Sequence, residues 1–155
     1  MTREDETAAV ALPTPGTADA MLSDLLWEVS AYVELLGEAE LADLPITTAS
    51  SGMLVTVYAE PGITVAEMAR RTPRSQQAIS QVVARLEKLG LVERRLRQGR
   101  GVGLHLTIEG RTMAEVALER ERAVDARLVA TLGRKNYDML RRLLVESRVL
   151  LRPEG

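Results

Sequence analysis

The chain has 155 residues, 46% of them hydrophobic, which is enough for one domain with or without appended helices. It has no cysteine and one histidine, which excludes disulfides, thiolate catalysis and the usual zinc sites. The formal net charge is −2, but residues 1–60 carry one basic and eleven acidic side chains, whereas residues 61–111 carry ten basic and four acidic ones.

Residues 1–18 are predicted to form a flexible tail, because prolines, threonines, alanines and acidic residues dominate them. This stretch lacks the basic and apolar regions of a secretory signal. No segment of the chain reaches the roughly 18 consecutive apolar residues that a membrane span needs. Together with the absence of cysteine, these features predict a cytoplasmic protein.

Two amphipathic helices are predicted next. The first covers about residues 19–37 and ends near Gly37. The second passes through Met53, Leu54, Val57 and Tyr58 and stops at the Glu-Pro-Gly of residues 60–62.

The following segment has the pattern of a helix-turn-helix. Thr64 and Glu67 form a capping-box signature at the start of a short helix over about residues 65–71. Thr72 and Pro73 are predicted to be the N-cap and first residue of a second helix, which runs to about Leu89 and ends at Gly90. Two short helices joined by about three residues are typical of this motif.

The second of these helices has one apolar and one polar face at helical spacing. The apolar face consists of Ile79, Val82, Val83, Leu86 and Leu89. The polar face consists of Arg74, Gln77, Gln81 and Lys88, with Gln76 and Ser80 on its flank. The helix is therefore expected to dock through one face and to present the other.

A β-hairpin is predicted after Gly90, because short β-like runs at 91–92 and 104–106 enclose a glycine-rich turn at 98–101. Its tip carries Arg97 and Arg100, and a hairpin in this place is a wing.

Thr107 is then predicted to cap a long helix through about Leu132, which Gly133 ends. A last helix is predicted to bury the following side chains: Tyr137, Leu140, Leu143, Leu144 and Leu150.

The predicted fold class is mainly α with a small β-hairpin wing. A winged helix-turn-helix over residues 45–111 is flanked by dimerisation helices at 19–44 and 112–151, which carry more apolar surface than one small module can bury. The alternative is a monomer with a larger helical core.

The glycines at 99, 101 and 103 lack the Gly-Lys-Ser/Thr of a phosphate loop, and no serine has the partners of a hydrolase triad. We therefore predict no catalytic residue, no metal site and no cofactor.

This order of elements, with the segment RSQQAISQVVARLEKLGLVERR and the Leu106-Thr107-x-x-Gly110 exit from the wing, resembles the MarR family of bacterial winged-helix regulators. The resemblance covers about residues 20–151. It implies a homodimer on a pseudo-palindromic operator, and repression relieved by a small, often aromatic or phenolic, ligand. The wing, RLRQGRGVG, lacks the aspartate of the family's usual Asp-x-Arg-like turn.

The resemblance also implies a ligand pocket between the first helices and the winged module. The candidates for it are Trp27, Tyr32, Met53 and Tyr58. The alternative is that they belong to the helix core, since four large side chains at helical spacing are more often core than pocket.

A recognition helix presents its N-terminal residues to base edges in the major groove. Glutamine can pair with adenine, whereas arginine prefers guanine or a phosphate. We expect base readout by Gln76, Gln77, Ser80 and Gln81, phosphate contacts by Arg74, Arg85 and Arg94, and wing contacts by Arg97 and Arg100. The alternative is a winged-helix module that binds an acidic protein partner without specific DNA binding.

Overall fold

The computed structural model describes residues 16–96, 99 and 101–151. Its elements are, in chain order, α1 (Leu22–Glu40), α2 (Thr48–Ala59), α3 (Val65–Arg71), α4 (Gln76–Lys88), β1 (Val92–Leu96), β2 (Val102–Leu106), α5 (Ile108–Leu132) and α6 (Arg134–Leu150). This architecture confirms the predicted fold class, mainly helical with a two-stranded antiparallel hairpin. The predicted tail lies outside the described residues up to position 15.

The chain divides into two compact units, of which the first ends at Leu35 and the second begins at Leu36. The part of α1 that belongs to the first unit carries many apolar side chains, yet none of them is buried. Trp27, for example, is 73% exposed. Among the helices of the described residues, none combines the length and apolar composition that crossing a membrane requires.

The second unit has a hydrophobic core formed by α2, α3, α4, the hairpin and the first half of α5. Its most deeply buried apolar side chains are Leu54, Val57, Ile79, Val83, Leu86, Leu104, Ala114 and Ala117. Burying a leucine, isoleucine or valine stabilises a fold by about 1.5–3 kcal/mol relative to exposure. The buried apolar face of α4 is part of this core, which fixes the direction in which its opposite face points.

The predicted end of α1 near Gly37 is wrong, because the helix continues to Glu40. Gly37 instead allows α1 to approach α2: a Cβ there would lie 2.7 Å from Cγ2 of Thr48. Glu38 lies next to the start of α2. Its Oε1 accepts from the backbone N–H of Thr48 at 2.9 Å and from the Thr48 hydroxyl at 2.7 Å. These bonds lower the pKa of Glu38, the backbone donor having the largest effect. The start of α2 is thus capped from another helix.

The capping box of α3 is confirmed, with Thr64 and Glu67 each accepting from the other's backbone N–H. The predicted start of the next helix at Thr72 and Pro73 is wrong. The restriction that Pro73 places on Thr72 ends α3 at Arg71, and the Thr72 hydroxyl donates back to the carbonyl of Met68, so Thr72 closes α3 instead of starting α4. The N-cap of α4 is Ser75, whose hydroxyl oxygen accepts from the N–H of Ala78 at 3.2 Å.

The hairpin pairs Val92 with Leu106 and Leu96 with Val102. The short segment before α3 lies along β2, since the Gly62 N–H donates to the Leu104 carbonyl at 2.7 Å and the Leu104 N–H donates to the Ile63 carbonyl at 2.9 Å. The hairpin is therefore anchored to the helix-turn-helix at its base.

Thr107 caps α5 as predicted, accepting from the N–H of Gly110 at 2.9 Å. Its hydroxyl also donates to the carbonyl of Gly90 at 2.7 Å, and its own N–H donates to the carbonyl of Leu91 at 3.2 Å. A Cβ on Gly110 would lie 1.8 Å from that Leu91 carbonyl oxygen. The Thr-x-x-Gly motif thus joins the end of α4 to the start of α5 by direct backbone contact.

The prediction that α6 buries its apolar face is wrong for the single chain. Tyr137 is half-buried, but the four leucines named for this face are exposed, with Leu150 at 83%. The physical reason is that, within the described residues, α6 packs chiefly against one other helix, α5, which can cover only a narrow strip of it.

Candidate nucleic-acid interface

The polar side chains at the front of α4 lie where the sequence pattern predicts them. Ile79, Val83 and Leu86 turn into the core. Gln76, Gln77 and Gln81 are exposed and Ser80 is half-buried. The four predicted base-reading residues therefore share the first two turns of one helix, on the side away from the core.

Arg74 lies immediately before the N-cap of α4 and is exposed. The amino-terminal end of a helix carries a partial positive charge and unpaired N–H groups, so it attracts anions. Arg85 and Lys88 add exposed positive charge further along the same helix. Among the described residues, these three cations have no ion pair.

Arg94, the third predicted phosphate contact, lies on β1 and is paired. Its Nε donates to Oε1 of Glu87, near the end of α4, at 2.9 Å. The next residue, Arg95, pairs with Glu93 through both Nε and Nη2. Glu87 was missed in the sequence because periodicity alone does not show that the turn at Gly90 brings β1 back beside α4.

The two wing-tip arginines, Arg97 and Arg100, lie outside the described residues. The nearest described residues of the strands are Leu96 and Val102, which face each other across the hairpin. Leu96 is 90% exposed, so the hairpin presents an apolar side chain at the end of β1. The role of the wing stays a prediction.

The four predicted pocket residues have different environments. Met53 is buried in the core of the second unit. Tyr58 lies at the surface of that unit, with its hydroxyl 3.2 Å from Oε1 of Glu115 and the Arg111 guanidinium 5.8 Å from its ring centre. Trp27 and Tyr32 belong to the first unit and are exposed.

A cavity of about 60 Å³ lies between the end of α1, α2 and α5. It is lined by Gly37, Leu41, Thr48, Ser51, Arg120, Glu121 and Val124. The buried Ser51 hydroxyl donates to Oε1 of Glu121 at 2.9 Å, so the cavity has a polar wall. A cavity of this size holds water molecules rather than an aromatic ring. Within the described part of the chain, no cluster of His, Asp or Glu side chains is arranged to hold a metal ion.

A sequence model of the MarR family matches residues 44–101. The HTH-type transcriptional repressor Rv2887 of Mycobacterium tuberculosis is 34% identical over 128 residues, which cover 81% of this chain and 92% of that protein.

Solved structures of a MarR family protein from the same organism have similar folds. Rv2887 in complex with salicylic acid has a TM-score of 0.67 and 33% sequence identity, with 83% of this chain and 97% of that chain covered. Rv2887 in complex with DNA has a TM-score of 0.67 and 31% identity, with 83% of this chain and 98% of that chain covered.

Proposed function

The chain belongs to the MarR family of transcriptional regulators, and on that premise we propose that it is a homodimeric repressor that binds a pseudo-palindromic DNA operator and releases it on binding a small aromatic ligand. The observation that carries the proposal is the exposed polar face at the front of α4. Three exposed glutamines and Arg74 lie at the start of α4. The opposite face of this helix is packed in the core. The complex of the similar repressor with DNA supports it.

In this proposal α4 enters the major groove. Gln76, Gln77, Ser80 and Gln81 contact base edges, where an amide can pair bidentately with adenine. Arg74, Arg85 and Arg94 bind phosphates, which fix position without reading sequence. The wing arginines Arg97 and Arg100 contact the adjacent backbone. Such a protein works in the cytoplasm, where it meets its operator.

The proposed dimer is supported by the exposed apolar faces of the terminal helices. Neither α1 nor α6 buries any side chain, although both carry many leucines and valines. Their charges are opposite: α1 has five acidic and no basic residues, whereas α6 has five basic and two acidic ones. An exposed apolar surface of this extent is typical of a protein interface, and charge of opposite sign favours pairing between copies.

The proposed ligand is a small aromatic acid, because the similar repressor has been crystallised with salicylic acid and with p-aminosalicylic acid. The candidate pocket residues stay Trp27, Tyr32, Met53 and Tyr58. The cavity of about 60 Å³ beside Ser51 would have to widen before it could accept such a ring.

The proposal is tested by selecting duplexes from a random-sequence pool with the purified protein. The affinity for the selected duplex and for a scrambled duplex is then measured by fluorescence anisotropy at several salt concentrations. We expect one inverted-repeat motif, bound by one dimer and far more tightly than the scrambled duplex, and weakened by salicylate. Log affinity should fall linearly with log salt by about 0.9 per neutralised phosphate. Weak and equal binding to both duplexes would favour the protein-interaction module instead.

A further inference from the structure

Glu87 is the one acidic residue of α4, and it lies in the last turn of the helix. A carboxylate there is unfavourable, because the carboxyl end of a helix carries a partial negative charge. On a surface that binds DNA it is doubly unfavourable, since it also repels phosphates. A negative charge in this position therefore calls for a physical explanation.

The explanation lies in the partner of Glu87. Arg94 Nε donates to Glu87 Oε1 at 2.9 Å, with 40% of the arginine side chain and 31% of the glutamate side chain exposed. A guanidinium is a rigid planar fork, so a bond at Nε fixes its plane while the two Nη atoms stay available for a second acceptor. Among the described residues, no hydrogen bond is made by the Nη atoms of Arg94. Arg95 differs, because Glu93 occupies both its Nε and Nη2.

The location of the pair is also specific. Glu87 follows Ser80 by seven residues, which is about two helical turns, so the two side chains lie on the same flank of α4. Arg94 is thereby held beside the helix at the edge of the proposed base-reading surface. A phosphate oxygen is an acceptor that suits a free guanidinium edge in such a place.

We propose that Glu87 is a positioning residue, which holds the Arg94 guanidinium in the orientation from which its free Nη atoms bind a DNA phosphate. This inference rests on the proposed DNA-binding function and adds to it a residue that does not itself touch DNA. It leads to an unusual expectation: removal of a negative charge from the surface should weaken DNA binding. Simple repulsion between Glu87 and the phosphates would give the opposite result.

The test uses the full chain and the duplex that the wild-type protein selects from a random pool. Affinity is measured over a salt series for wild type, Glu87→Ala, Arg94→Ala and the double variant. Glu109→Ala serves as the matched control, because it also removes one exposed carboxylate from the winged module but has no arginine partner among the described residues. Thermal unfolding is followed in parallel, and we expect little change, since an exposed ion pair contributes little to stability.

We expect Glu87→Ala to weaken binding by about three- to tenfold and to have no further effect once Arg94 is absent. The decline of log affinity with log salt should become shallower, by up to about 0.9, in both Glu87→Ala and Arg94→Ala, because one phosphate contact is lost. Glu109→Ala should bind as well as wild type or better.

Three results would overturn the inference: unchanged or tighter binding by Glu87→Ala, an unchanged salt slope, or equal weakening with and without Arg94. A wild-type protein that selects and binds no duplex would instead refute the proposed function itself.

Discussion

Gln77 and Arg74 are both exposed at the front of α4, but their chemistry predicts different effects on DNA binding. An amide that pairs with one base discriminates between sequences, whereas a guanidinium on a phosphate does not. We expect Gln77→Ala to reduce the preference for the selected duplex over a single-base variant by about 1–3 kcal/mol. Arg74→Ala should weaken binding to all duplexes alike and make the decline of log affinity with log salt shallower by about 0.9.

Competition between labelled selected duplex and unlabelled single-base variants measures both effects in one assay. The same wild-type preference in Gln77→Ala would show that this glutamine does not read a base. Loss of preference in Arg74→Ala would show that the arginine contacts a base rather than a phosphate.

Glu38 makes stability depend on pH. The Thr48 backbone and hydroxyl donors lower its pKa in the folded state. The ionised carboxylate therefore adds its full contribution to the free energy of unfolding at pH values above the ordinary glutamate pKa of about 4.3. The benefit is lost as pH falls through the lower, folded-state value. We expect Glu38→Gln to be less stable than wild type at neutral pH and to differ less from it in acid.

Urea unfolding of both proteins at neutral pH and near pH 3 measures this difference. A constant difference across that range would mean that the carboxylate charge does not contribute to the cap. Because Glu38 and Thr48 belong to different helices, the periodicity within each helix gave no sign of this interaction.

At the level of elements, the junction of α4, the hairpin and α5 depends on Gly110. A side chain there would collide with the Leu91 backbone, which cannot move without breaking the bond from Thr107. We expect Gly110→Ala to lower the free energy of unfolding by about 3 kcal/mol or more, measured by urea denaturation.

Gly52 is the matched control for this substitution. It lies inside α2 with open space around its Cα, so Gly52→Ala should stabilise the protein by up to about 1 kcal/mol. Equal effects of the two substitutions would contradict the close contact at Gly110.

The elements also show which local signals are reliable. The capping box at Thr64 and the cap at Thr107 were correctly predicted, because a hydroxyl and an N–H three residues apart interact through the local backbone. Thr72 has the same residue type, but its hydroxyl bonds back to Met68 in α3, and Ser75 is the N-cap of α4 instead.

At the level of the whole molecule, the exposed face of α6 leads to a prediction about assembly. We expect Leu143→Gln to weaken the proposed dimer by about tenfold or more, because each copy would lose buried apolar area at the interface. Arg142→Gln, at the neighbouring exposed position, should have a much smaller effect. Sedimentation velocity over a range of protein concentrations measures both, and a wild-type protein that stays monomeric throughout would rule out the dimer.

Several features were determined by the sequence itself. The buried and exposed faces of α4 follow from apolar residues repeating at helical spacing, and the glutamines could be assigned to the exposed face without any coordinates. The caps at Thr64 and Thr107 and the basic middle segment follow from local chemistry in the same way.

Other features were decided by the tertiary structure alone. The Glu38–Thr48 cap, the contact of Gly110 with Leu91 and the pairing of Glu87 with Arg94 each join residues that meet only after the chain has reversed direction. The exposure of α6 is of the same kind, since an apolar stripe predicts that a helix will be covered but not by which surface. Periodicity reports how a segment orients against a neighbour, whereas the identity of that neighbour is set by packing among distant segments.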